Sequence, residues 1–153
     1  MHPNADLLTR FYTALAAKDP VVMGDCYAQD ASFSDPVFTD LHGPEVAKMW
    51  RMLCSRAKDL EVTFDGIEAD DSQGRARWVA TYSFSGTGHR VVNRIESGFV
   101  FKDGRIQQQT DSFDLYRWAR QALGIKGLLL GWLPPVQAGI RKQAKGRLTA
   151  YKG

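Results

Sequence analysis

Apolar residues recur at helical spacing almost from the first residue: Leu7, Leu8, Phe11, Tyr12 and Leu15 follow a polar Asn4 and stop at Lys18-Asp19-Pro20. Steps of three and four put them on one face, which predicts an amphipathic helix. Val21 to Tyr27 fits a second, short helix. Around Phe33 the period shortens to two and Pro36 ends the run, predicting a short strand that leads into a loop at Asp35. Gly43-Pro44-Glu45 opens a third helix with proline in its first turn and Val46, Met49, Trp50 and Leu53 as its apolar stripe.

From Leu60 onward the period is two. Leu60 to Ile67 alternates as a strand, residues 70–74 (DDSQG) are turn chemistry, and three more strands are predicted over Arg75 to Ser85, Arg90 to Lys102 and Arg105 to Phe113. Residues 85–89 (SGTGH) and Asp103-Gly104 read as hairpin turns, so the sheet is expected to be mostly antiparallel. Helices followed by a meander of long strands predict an α+β fold with the helices packed on one face of the sheet.

Alternation also assigns faces. Trp78, Ala80, Tyr82 and Phe84 form the aromatic set that should meet the helices, opposite Arg77, Val79, Thr81 and Ser83. On the next strand Asn93, Ile95, Ser97, Phe99 and Phe101 share the more apolar face, and Glu96 lies on the other. Counting back from Phe113 turns Gln107, Gln109 and Asp111 inward. Asp111 is then an inward carboxylate beside Asn93, Tyr82 and Trp78, an expensive placement unless the space is a cavity or supplies partners. Asp114 has the opposite parity and precedes Leu115-Tyr116-Arg117, which suits a helix N-cap.

Several segments together resemble the nuclear transport factor 2-like superfamily, which includes ketosteroid isomerase, limonene epoxide hydrolase and the SnoaL-like polyketide cyclases. They are the helix ending in Lys18-Asp19-Pro20, the stretch CYAQDASFSDP at 26–36, Leu41-His42-Gly43, FVFKDGRI at 99–106 and TDSFDL at 110–115. The resemblance spans about residues 5–123. It implies a curved sheet wrapped around helices as a cone with a pocket, often dimeric through the outer sheet face. Residues 1–123 would form this cone and 124–153 a basic helical extension packed on or beside it. The family's site differs between members, so the fold alone does not give the reaction.

Position by position, Asp35 matches the catalytic base of the ketosteroid isomerases and an asparagine of the epoxide hydrolases that helps hold water. Asp111 matches the carboxylate that is base in the epoxide hydrolases and acid/base in the cyclases. Phe11 stands where the isomerases carry their oxyanion tyrosine, leaving that role vacant unless Tyr12 or Tyr82 fills it. Trp78 and Ala80 replace the Arg-x-Asp pair of the epoxide hydrolases. A different register would make Glu96 the oxyanion acid, against the apolar alternation.

The resulting candidates are Asp35 and Asp111 for proton transfer, with Asn93 or Tyr82 donating to developing charge. Trp78, Phe33, Tyr12, Phe11, Phe99 and Phe113 would form the substrate wall. Desolvation among these rings raises a carboxylate toward the range useful at neutral pH. Two functions stay open. One is an acid/base enzyme of isomerase, cyclase or hydratase/hydrolase type acting on a small apolar molecule. The other is a ligand-binding or dimeric scaffold protein without catalysis.

Charge changes the picture at the C-terminus. Residues 1–114 hold all 17 acidic residues but 12 of the 20 lysines and arginines, leaving that part at −5 and residues 115–153 at +8. Leu115 to Leu123 reads as a short helix closed by Gly124, and Gly127 to Pro135 as an apolar bend. Ile140, Ala144, Leu148 and Tyr151 then mark a helical stripe among Arg141, Lys142, Lys145, Arg147 and Lys152. The tail is expected to pack on the cone, with Leu128 to Leu133 covering apolar surface and the basic helix facing the acidic body or solvent. The second reading is a basic helix docking on an anionic membrane, with Trp132 and the leucines inserting. No nucleic-acid partner is expected, because no groove of stacking aromatics accompanies the basic residues.

The remaining motifs narrow the field. Cys26 and Cys54 lie 28 residues apart without a CxxC or a neighbouring histidine, so no metal site or disulfide is expected, only buried thiols in a reducing compartment. Gly86-Thr87-Gly88 lacks the strand-to-helix context of a dinucleotide loop, and no cofactor is expected. His42 and His89 read as loop residues. With 153 residues, 44% apolar, no leader-like start and no run approaching the roughly 20 residues of a membrane span, one cytoplasmic domain is expected.

Overall fold

A computed structural model describes residues 2–153. Helix α1 (Pro3–Ala16) starts with proline in its first turn and with the His2 ring accepting from the Asn4 N–H at 3.0 Å. It buries Leu8, Phe11, Tyr12 and Leu15, each large side chain contributing roughly 1.5–3 kcal/mol of apolar transfer. Asp19 caps α2 (Pro20–Asp25) by accepting from Val22 N at 3.2 Å. The second helix stops short of Tyr27 because that residue already pairs with Ile106 in the sheet. Helix α3 (Pro44–Arg56) buries Val46, Met49, Trp50 and Met52.

Six strands, β1 (Tyr27–Ser34), β2 (Leu41–His42), β3 (Glu61–Ala69), β4 (Gln73–Ser83), β5 (Arg90–Lys102) and β6 (Arg105–Ser112), form one sheet in the order β2-β1-β6-β5-β4-β3. Neighbours are antiparallel except β1 and β6, which run parallel with Ser34 opposite Thr110. Interruptions of register in β3–β4, β5–β6 and β1–β6 mark bulges, which add twist and curl the sheet around the helices.

Burial alternates without a break along β5, with Val91, Asn93, Ile95, Ser97, Phe99 and Phe101 inward. Glu96 is on the outer face opposite Arg77, so the register that would aim it at the pocket is excluded. On β6 the inward parity holds for Gln109 and Asp111 and fails at Gln107. There Val100 pairs Gln108 while Phe101 pairs Ile106, so Gln107 is the extra residue of a bulge and Ile106 takes the buried place.

Asp114 accepts from Arg117 N at 3.0 Å and caps α4 (Leu115–Leu123), as its parity predicts. The expected apolar bend is instead a short helix, α5 (Ile125–Leu130), and its leucines do not cover the cone. Leu128, Leu129 and Leu130 all face solvent. The reason is Gly127, the buried face of α5: a Cβ there would stand 1.9 Å from the Ala119 carbonyl oxygen, so the backbones touch and the leucines point away.

Helix α6 (Pro134–Ala150) returns across the cone. Leu148 is buried, Ala144 and Tyr151 pack against the main core, and the Arg141 Nε donates to the Pro36 carbonyl at 2.9 Å.

Candidate functional site

Asp35 and Asp111 reach the same place because β1 and β6 are parallel neighbours. Ser34 faces Thr110, so each aspartate is the next residue along an adjacent strand. Asp35 leaves the sheet in a tight turn in which its Oδ1 accepts from the backbone N–H of Val37 at 2.7 Å and Phe38 at 2.6 Å, while its own N–H donates to Phe38 O. Its other oxygen accepts nothing from the described residues. Burial raises the Asp35 carboxyl to about 6, against the lowering effect of those two amides.

Asp111 is 4% exposed and held at the meeting of two hydrogen-bond chains. Tyr12 O–H and Trp78 Nε1 donate to Ser97 Oγ at 2.8 and 3.0 Å, filling both lone pairs, so the serine proton must go to Asp111 Oδ1 at 2.6 Å. On the other side Trp50 Nε1 donates to Tyr27 O–H, Tyr27 donates to Gln109 Oε1, and Gln109 Nε2 donates to the same Asp111 Oδ1 at 3.0 Å. With Oδ1 committed to two donors, a titrating proton belongs on Oδ2. Desolvation raises the Asp111 carboxyl to about 7, with a further push from the charge of Asp35, while the bonds from Ser97 and Gln109 act the other way.

Both carboxylates line one cavity of about 250 Å³, at or below the small end of ligand pockets. Trp50, Met49, Trp78, Ile95, Phe113 and Trp118 supply apolar wall, and Ile140, Gln143, Ala144 and Arg147 of α6 also line it. Asn93 is buried on this wall, and its side-chain amide finds no hydrogen-bond partner among the described residues. The Tyr82 hydroxyl accepts from Trp118 Nε1 at 2.8 Å, which leaves its own proton to donate, and burial raises its pKa.

The structure thus gathers Asp35, Asp111, Asn93, Tyr82, Trp78 and Phe113 around one space. Phe11, Tyr12, Phe33 and Phe99 lie off the cavity wall, in the aromatic core behind it, where Phe11 meets Tyr12, Tyr27 and Trp50 edge-on. His42 is exposed and paired with Asp40. Cys26 and Cys54 are buried and unbridged. Sequence reasoning assigned no role to Ser97 and Gln109, which orient Asp111, although both share its inward parity. It also did not place residues 140–147 on the wall.

Residues 8–109 match the model of the SnoaL-like domain, and the chain belongs to this family. Its fold is that of the LEH-like epoxide hydrolase of Mycobacterium tuberculosis, at 22% identity, a TM-score of 0.66 and coverage of 86% of this chain and 96% of that one. An NTF2-like protein of unknown function from Burkholderia pseudomallei superposes with TM-score 0.70 at 17% identity, covering 79% and 98%. A Catenulispora acidiphila protein with a ketosteroid isomerase-like fold, solved with trimethylamine, gives 0.68 at 15% identity, covering 84% and 97%. Human cubilin is 28% identical over 101 residues; the match covers 65% of this chain and 3% of cubilin. α5 and α6 lie beyond the stretch that the family model matches.

Proposed function

We propose that the cavity is the active site of an acid/base enzyme acting on a small, mostly apolar molecule. In this reading Asp35 takes a proton and Asp111 gives one, the chemistry of an isomerase, cyclase or hydratase/hydrolase. The observation that carries it is the convergence of two carboxylates with raised pKa and an unpartnered amide in one apolar cavity. Near neutral pH a carboxyl at about 6 is mostly ionised while one at about 7 still holds a proton much of the time, so base and acid coexist. Asn93 and Tyr82 supply donors for charge developing on a substrate oxygen. The reading favours proton transfer on a carbonyl or polyene over epoxide opening, because Trp78 and Ala80 occupy the positions of the hydrolases' Arg-x-Asp pair.

Turnover of a panel of small cyclic enones, epoxides and polyenes tests this. Asp35→Asn and Asp111→Asn are each expected to lower kcat by about 10²–10⁴-fold on the substrate found. The pH profile should be bell-shaped, with limbs near 6 and 7 from Asp35 and Asp111. Unchanged turnover in both variants overturns the assignment. A non-catalytic ligand carrier is the second reading, favoured by the two donors that already satisfy Asp111 Oδ1. It predicts that a compound binds the cavity without any product and that Asp111→Asn leaves its affinity within a few-fold.

A further inference from the structure

Among the described residues, eight large hydrophobic side chains are exposed, and five of them fall between 125 and 132. Ile125 is 76% exposed, Leu129 63% and Trp132 61%, with Leu128 at 50% and Leu130 at 42%. Single exposed leucines need no explanation, but a run of this kind within eight residues is a contiguous apolar surface of the sort that marks an interaction site.

The orientation is built in rather than a loose end. Gly127 seats α5 against the Ala119 backbone, Tyr116 O–H donates to Leu128 O at 2.8 Å, and Trp132 Nε1 donates to Leu129 O at 3.2 Å. The indole N–H is therefore satisfied internally, and the ring can leave water without an unpaired donor.

The charge within this segment has one sign. Lys126 is exposed within α5, and the Arg120 guanidinium lies 5.2 Å over the ring of Tyr116, the residue bonded to α5. Residues 115–153 contain eight lysines and arginines and no aspartate or glutamate. Among the described residues, no helix is long and apolar enough to cross a membrane, so insertion would be shallow. Exposed apolar side chains with cations on the same and the adjoining helix are the chemistry of a helix lying in an anionic interface.

We infer that Ile125–Trp132 is a docking surface for an anionic lipid membrane, with Ile125, Leu128, Leu129 and Trp132 entering the interface and Arg120 and Lys126 meeting lipid headgroups. The inference rests on this surface alone and stands apart from any catalysis in the cavity. Its consequence is that α6, which begins at Pro134 and lines the cavity, is held beside the membrane from which an apolar ligand would come.

Flotation of the full chain with vesicles of phosphatidylglycerol and phosphatidylcholine in equal parts, against phosphatidylcholine alone, tests it. The chain is expected to float with the anionic vesicles, less so in about 0.5 M salt, which screens the cations. Leu129→Ser with Trp132→Ser should cut the bound fraction about tenfold, and Arg120→Glu with Lys126→Glu should do so without touching the apolar side chains. Because these residues are exposed, unchanged thermal melting verifies that each variant is folded. Trp132 emission should be quenched by bromolipids, and that quenching should vanish in Trp132→Phe. Failure of the parent to float, or equal flotation of the serine variant, overturns the proposal. So does light scattering that finds a dimer dispersed by the same serine variant, which would assign the face to a second copy of the chain.

Discussion

Asp111 keeps one oxygen inside a hydrogen-bonded frame and turns the other to the cavity, and the charged form is strained by that burial. Burial raises its carboxyl to about 7 in the folded chain, against about 3.9 when unfolded. Between those values the native state binds more protons than the unfolded one, so this group lowers stability as pH rises from about 4 to 7. That difference sets an upper limit of roughly 4 kcal/mol, reduced where the cavity leaves Oδ2 partly solvated. Asparagine has the same shape and its oxygen can accept from Ser97 and Gln109. Asp111→Asn is therefore expected to be more stable than the parent by about 1–3 kcal/mol at pH 8, with the gain fading toward pH 4. Urea denaturation at the two pH values reads this directly, and an equal difference at both would contradict the burial argument.

At the scale of elements, legibility followed the regularity of the backbone. The uninterrupted alternation of β5 from Arg90 to Lys102 assigned every face correctly, because a period of two survives wherever pairing is continuous. On β6 the same count failed at Gln107, since a bulge inserts a residue without a sequence signal of its own. The side-by-side placement of Asp35 and Asp111 depends on the parallel pairing of β1 with β6, a long-range contact that no local pattern encodes. α5 reads as a bend in the sequence because glycines at 124, 127 and 131 weaken any helical signal; Gly124 supplies a positive φ of 65° between two helices, while Gly127 and Gly131 allow close contact. Gly127→Ala would drive a methyl into the Ala119 carbonyl and should cost about 1–3 kcal/mol. Gly139→Ala, in α6 with nothing within 4 Å of its Cβ, should instead stabilise by up to about 1 kcal/mol. Thermal melts of the pair test both signs at once.

For the whole molecule, the split between an acidic body and a basic tail invites the idea that ion pairs hold the tail in place, yet they do not. None of the ion pairs among the described residues joins 115–153 to the body. Helix α6 is anchored by buried Leu148, by Ile140 and Ala144 facing the cavity, and by donors to backbone carbonyls: Arg141 to Pro36, Lys48 to Thr149 and Tyr151 to Arg51. Apolar burial is not screened by salt, whereas opposed surface charges beyond about 8–10 Å are. The tail is therefore expected to stay docked in about 0.5 M salt and to loosen when its buried leucine is truncated. Leu148 is buried in the main core, and Leu148→Ala should cost about 2–3 kcal/mol. If α6 opens as a local unit, that loss raises the open population by roughly 30- to 150-fold, and trypsin cleavage at Lys142 and Lys145 should accelerate in proportion. Rapid cleavage of the parent in salt, with no added effect of Leu148→Ala, would show that charge holds the wall of the cavity after all.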